Sequence, residues 1–336
     1  MTYSVGGLIT SLDYNTFATA ASNIGNIWCI GSVDQGYGQL SNGSSTIQTV
    51  STDAAPTGLI TAAEWNNLID ALNGSGKHQS GTAWSNVISV VSGSAYDTLA
   101  DGIIYATVEQ GGNSIPLTTL TTQIATNRAN AALQGATTPF TSVNTTNWID
   151  ALTFSTSVTF PSADQARFFF NAGGQVGISL EHNSNIATIN PLIADMCTEL
   201  GTIWLSGVST GQCVLAGTTY TGLTQLGGVS TRNVINTALG FPSLTSDLQQ
   251  GVKQTSDVYY RSYTGSFISL SYSVSGAVLT IVTQIDEVNA GRGVSYGGIQ
   301  VATPTTLTVQ VRQPETTFLA DRWGGVPTVS TSIAAV

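Results

Sequence analysis

Large apolar residues alternate with Ser and Thr through much of the second half of the chain, with the period of a β-strand that buries one face. The alternation is nearly unbroken from Phe267 to Ile285. Phe267, Ile268, Leu270, Tyr272 and Val274 lead into Ser275-Gly276, and Val278, Leu279, Ile281, Val282 and Ile285 follow. Two such runs across a Ser-Gly pair predict a hairpin. Phe154 to Phe160 repeats the pattern with Ser and Thr at the polar positions, and Leu307, Val309 and Val311 predict one more strand. Arg167 to Phe170 also reads as a strand.

A helical period governs other segments. Tyr14, Phe17, Ala21, Ile24 and Trp28 fall three and four apart between Ser11 and Ile30, with Gly31 as the stop. Thr61 with Glu64 three residues on forms a capping box, and Trp65, Leu68, Ile69 and Leu72 supply the apolar stripe before Asn73-Gly74. Pro116 opens a further pattern through Leu117, Leu120 and Ile124 to about Leu133. Residues 145–152 echo the capped helix, since Ile69-Asp70-Ala71-Leu72 recurs as Ile149-Asp150-Ala151-Leu152. Another helix is expected from Pro191 to Trp204, whose end echoes Ile24 to Trp28. These echoes are too few and too irregular for a solenoid.

The patterns divide the chain into a helical assembly or attachment region at 1–90, a mixed, helix-containing connecting region at 91–152, and a β-rich domain at 153–336. The last is expected to be a mainly antiparallel sheet or sandwich with a helical insertion near 186–204. The fold class is α+β.

Only 8% of residues are charged, whereas Ser and Thr number 36 and 48, so the surface is polar and nearly uncharged. Nine Lys and Arg against nineteen Asp and Glu leave a net charge of −10. That is too few cations for a face that neutralises phosphates, so no nucleic-acid partner is expected. The same sign disfavours anionic membrane surfaces, and no run approaches the roughly 18 apolar residues of a membrane span. The opening Met-Thr-Tyr-Ser-Val-Gly-Gly lacks the basic and apolar stretches of a Sec-type signal, which predicts a product that stays in the cytosol until the cell opens. Cys29, Cys197 and Cys213 are odd in number and widely spaced, and read as reduced, buried small hydrophobes.

Candidate chemistry is sparse. Gly207-Val208-Ser209-Thr210-Gly211 matches the nucleophile-elbow pattern. It is rejected because a helix is expected to end just before it at Trp204, and because His78 and His182 both precede the serine. Those two histidines lack partners at zinc-binding spacing and read as exposed or hydrogen-bonded loop residues. Asp286 and Glu287 are an adjacent acidic pair whose side chains, after a strand, point to opposite faces, and nothing nominates a partner carboxylate for glycoside hydrolysis. No phosphate cradle is visible. The expectation is a protein without enzymatic activity, metal or cofactor.

Arg167-Phe168-Phe169-Phe170-Asn171-Ala172-Gly173-Gly174-Gln175 resembles a motif of virion structural proteins from tailed bacteriophages, particularly those infecting cyanobacteria. Tyr14-Asn15, Gly36-Tyr37-Gly38-Gln39, Ile60 to Leu68, and His78-Gln79 with Gly81 resemble the same family in the same order. The resemblance covers roughly residues 8–81 and 160–180. It implies a virion component of the tail, neck or fibre region, assembled in the host cytoplasm, a homo-oligomer such as a trimer or ring, docked on other tail or neck proteins. The motif itself reads as architectural, with Phe168 and Phe170 on one face of a strand, Phe169 on the other, and Asn171, Gly173 and Gly174 in a turn. The charge-poor, hydroxyl-rich composition suits subunit contacts, because few charges need desolvating. A glycan-binding or glycan-degrading protein that meets host surface glycan is the rival expectation, motivated by eleven Tyr and six Trp. A capsid decoration protein is a third.

Overall fold

The computed structural model describes residues 107–110, 113–116, 134–183, 190–207, 213–215, 218–229, 233–256, 265–287, 304–314, 316, 321 and 323–336. The helices expected at 11–30, 61–72 and 117–133 lie outside them, as do Thr61 and Glu64. The chain divides into two compact units, one of residues 1–133, 213–219 and 314–322, the other of 134–212, 220–313 and 323–336. In the first, strands β1 (Thr107–Gln110) and β2 (Asn113–Pro116) form an antiparallel hairpin.

The second unit is β-sandwich-like and mostly antiparallel. It begins with β3 (Gln134–Asn144) and β4 (Ala151–Thr159), helix α1 (Ala163–Asn171), β5 (Gln175–His182), helix α2 (Asn190–Leu200) and β6 (Thr202–Leu205). The short pair β7 (Cys213–Leu215) and β8 (Thr218–Tyr220) falls almost wholly in the first unit; the second resumes with β9 (Leu223–Leu226), β10 (Asn233–Ile235) and a 3-10 turn at Phe241–Ser243. The chain then runs through β11 (Gln249–Thr255), β12 (Phe267–Ser275), β13 (Val278–Asp286), β14 (Thr305–Pro314) and β15 (Thr328–Ala335). A six-stranded sheet has the order β10-β11-β12-β13-β4-β15, and a five-stranded sheet the order β3-β14-β5-β6-β9.

The six-stranded sheet follows directly from the alternation. Leu152, Phe154 and Val158 of β4, Ile268, Leu270 and Tyr272 of β12, and Leu279, Ile281 and Ile285 of β13 are all fully buried on one face. Register places Leu270 beside Thr283 and Thr283 beside Phe154, so a slip of one residue would turn this whole set to solvent. The expected hairpin forms as β12 and β13, joined across Gly276-Ala277. Burial of each Phe, Leu or Ile here contributes roughly 1.5–3 kcal/mol.

Three expectations are corrected. Arg167 to Phe170 is not a strand but most of α1. Ser162 caps the helix by accepting from the Gln165 N–H at 3.2 Å, and Asp164 stands in its first turn. Helical spacing then puts Ala166, Phe169 and Phe170 on the buried side while Phe168 stays partly exposed, a different partition from the one a strand would give. Phe170 stacks on Phe241 with centroids 4.2 Å apart, and Phe169 meets Phe170 edge-on. The helix closes with the Gly174 N–H donating to Phe169 O and the Gly173 N–H to Phe170 O. That is a Schellman closure, with Gly173 at φ +91° in the left-handed conformation it requires. Asn171 is therefore the last helical residue rather than part of a strand turn. Gly174 follows because a Cβ there would stand 2.6 Å from the Phe169 ring.

Second, α2 ends at Leu200, and Trp204 belongs to strand β6 rather than to a helix; Gly201, at φ +61°, separates the two. Third, residues 145–152 are not helical. Trp148 is buried, and Ala151 and Leu152 already pair with β13 and β15. The amphipathic spacing of Trp148 and Leu152 serves a strand entry instead.

Candidate functional site

The two sheets differ most on their outward faces. On the six-stranded sheet that face is a lattice of hydroxyls. Ser330, Ser157 and Thr280 lie in one cross-strand row that ends at the buried Ser273, and Ser332, Ser155, Val282 and Ser271 lie in the next. Short uncharged side chains leave this surface flat. Its charge gathers at one end, where Lys253 Nζ sits 4.2 Å from the Phe267 ring centroid and Gln284 donates to Asp286 at 3.2 Å. Burial and then the Asp150 charge push the Asp286 carboxyl above its ordinary range, with Lys253 opposing them.

The outward face of the five-stranded sheet carries one compact polar-aromatic cluster. Gly177 lies opposite Trp204 in register. A Cβ on Gly177 would stand 2.8 Å from the indole, so the ring lies flat across bare backbone. The Arg312 guanidinium covers the ring at 3.9 Å from its centroid and donates through Nη1 to Gln175 Oε1 at 2.8 Å. Trp204 is buried, and its indole N–H has no hydrogen-bond partner among the described residues. A cation held this way is fixed in place by stacking and by an amide.

Inside, polar groups tie the strands to α2. His182 Nδ1 and Thr305 Oγ1 share a hydrogen bond of 2.8 Å between β5 and β14. Gln254 Nε2 donates to the buried Glu199 carboxylate at 2.7 Å, and Gln225 Nε2 donates to the carbonyls of Glu199 and Leu200. The Gln225 bonds satisfy the C-terminal end of α2, where main-chain carbonyls lack helical partners. Burial, with a smaller contribution from the Glu181 charge, pushes the Cys197 thiol up to about 12, which keeps it protonated and inert.

The residues singled out from sequence are thus distributed as follows. Arg167, Phe168, Phe169, Phe170, Asn171, Gly173 and Gly174 form one helix and its closure, with Arg167 near Asp164 at 3.3 Å and over the Phe168 ring. Gln175 alone of the motif joins the Trp204 cluster. His182 is a buried strand residue, hydrogen-bonded but not in a loop; His78 lies outside the described residues. Gly207 does follow a strand, β6, contrary to expectation, and the next described element is strand β7. Ser209 lies outside the described residues. Asp286 faces outward and Glu287 is buried, as the strand parity implies. The cluster of Trp204, Arg312 and Gln175 was not foreseen. Parity along β14 puts Arg312 opposite the buried Val311, but which strand it meets is set by tertiary pairing.

Among the described residues, no three His, Cys, Asp or Glu side chains stand together as metal ligands, and no helix is long and apolar enough to cross a membrane. Trp148, Trp204 and Trp323 are all buried and present no ring face to a sugar; Trp28, Trp65 and Trp84 lie outside the described residues. Comparison with protein-family models, curated proteins and solved structures finds no match.

Proposed function

We propose that the chain is a non-enzymatic structural component of a tailed-phage particle, in the tail, neck or fibre region, working as a homo-oligomer docked on other virion proteins. The observation that carries this reading is the outward face of the six-stranded sheet. A flat lattice of Ser and Thr without a catalytic constellation suits contact with other subunits, because meeting surfaces need desolvate few charges and hydroxyls can bond across the seam. The ordered motifs that resemble virion proteins point the same way. The residues of the longest motif are used to close a helix and seat Phe169 and Phe170 in the core, which fits an architectural role.

Immunogold electron microscopy of purified particles, with antibody against the recombinant chain, tests the reading. Gold at the tail, neck or fibres is the expected result. Gold spread over the head would replace it with capsid decoration, and absence of gold from both intact and disrupted particles would overturn it.

A further inference from the structure

The two sheets of the second unit end in four edge strands, and three of them are blunted. β10 has three residues and pairs with β11, which carries a bulge between Gln250 and Val252. β9 has four residues. β3 is long but holds Pro139 within it, which removes a main-chain donor. β15 has none of these devices. Its eight residues, Thr-Val-Ser-Thr-Ser-Ile-Ala-Ala, include no Pro and no charge, and its register with β4 is unbroken from Thr328 to Ala335. Soluble proteins normally protect such an edge, because its unpaired N–H and C=O groups are a template for another strand.

The bonding groups at this edge can be named. The Val336 N–H donates to Ala151 O at 2.9 Å. In an antiparallel ladder the residues that bond one neighbour alternate with those that face away. Val336, Ala334, Ser332, Ser330 and Thr328 therefore bond β4, while Val329, Thr331, Ile333 and Ala335 aim their main-chain groups at the free edge. Their side chains lie on the core face, in register with Val158, Thr156, Phe154 and Leu152. Those four partners are buried, yet Ile333 remains 38% exposed. The core face thus continues onto a strand with too little beside it to cover it.

We infer that β15 pairs antiparallel with β15 of a second copy about a two-fold axis, joining two six-stranded sheets into one. A second copy is the occupant favoured by symmetry, and charge does not oppose it at this strand. The chain carries a net charge of −10, so copies repel over most of their surface, and this strand brings no charged side chain to the contact. An antiparallel edge is also complementary to itself, as a two-fold interface must be. One register pairs all four outward-bonding residues: Val329 with Ala335 of the second copy, Thr331 with Ile333, and Ser332 opposite itself. The hydroxyl lattice then runs across the seam, and Ile333 gains a neighbour on the core face. This inference goes beyond the virion assignment and stands on the edge alone.

The test uses the full chain. Light scattering on a size-exclusion column should give a dimer, or a larger even assembly, that dissociates on dilution. Thr331→Pro removes an N–H that faces the free edge and leaves the β4 ladder intact, and Ile333→Lys places a charge at the seam; each should halve the mass at equal concentration, with unchanged circular dichroism. Ser332→Cys sets two thiols in a non-hydrogen-bonded pair, with Cα atoms about 4.5 Å apart, within disulfide reach. It should form a disulfide-linked dimer under mild oxidation that the parent chain does not. A monomer at every concentration overturns the inference, including one that accepts a strand from a different protein. So does an oligomer whose mass survives both Thr331→Pro and Ile333→Lys and whose Ser332→Cys form does not crosslink. If Thr331→Pro fails to fold, Ile333→Lys and the crosslink decide between these outcomes.

Discussion

The six-stranded and five-stranded sheets solve the same problem in different ways. In the first, β4, β12 and β13 run nine residues each with the apolar positions in step, and the outward face is left to Ser and Thr. In the second, the strands are uneven, two helices interrupt the chain between them, and the outward face is held by Trp204 laid over Gly177 under Arg312. A sheet whose register is fixed by its own alternation can keep a plain exterior. The other sheet adds specific side-chain contacts on its outward face.

The contrast can be broken at its cores first. Phe154→Ala in the six-stranded sheet and Phe170→Ala on α1 each remove a fully buried ring, and each is expected to cost about 3–5 kcal/mol in denaturant unfolding. Gly177→Ala comes next. The new methyl must displace the Trp204 indole, so a loss of about 1–3 kcal/mol is expected; an unchanged midpoint would mean the ring does not depend on that bare backbone. The two exteriors then separate. Arg312→Ala should cost about 1–2 kcal/mol through the lost stack and the lost bond to Gln175, whereas Ser157→Ala on the hydroxyl lattice should stay within about 0.5 kcal/mol. Equal losses would remove the distinction between the faces.

The smallest effect is electrostatic. The Asp286 carboxyl titrates above its ordinary range in the folded chain, chiefly through burial and then Asp150. The folded state therefore holds its proton more tightly than the unfolded one, and stability falls as pH rises through that window. Asp286→Asn should flatten this slope and give a slightly higher unfolding midpoint at neutral pH, read as the difference between the two chains across a pH series.

The same contrast explains what was legible in the sequence. The β12–β13 hairpin, β4 and β14 were readable because one face is buried and the other is hydroxyl, so period two survives intact. The Phe168 to Phe170 run misled because three aromatics favour a strand by propensity. The competing signal was present in Ser162 and Gln165, a Ser-x-x-Gln start of the kind that caps helices, with Gly173 as its stop. The apolar period of α2 continues into β6 and reads through Trp204 as helix; only the left-handed Gly201 marks the break. The buried links between Glu199 and Gln254, and between His182 and Thr305, join residues 55 and 123 apart in sequence. Such pairs are fixed by topology and leave no local pattern. The free edge of β15 lies between these cases: its lack of charge is visible in the sequence, but not that it ends a sheet.

The most direct measurement is amide hydrogen exchange along β15 as a function of protein concentration. The account predicts that the amides of Val329, Thr331, Ile333 and Ala335 exchange freely in dilute solution and become protected as concentration rises, while those of Ser330, Ser332 and Ala334 are protected throughout by β4. Free exchange of the first set at every concentration would contradict it.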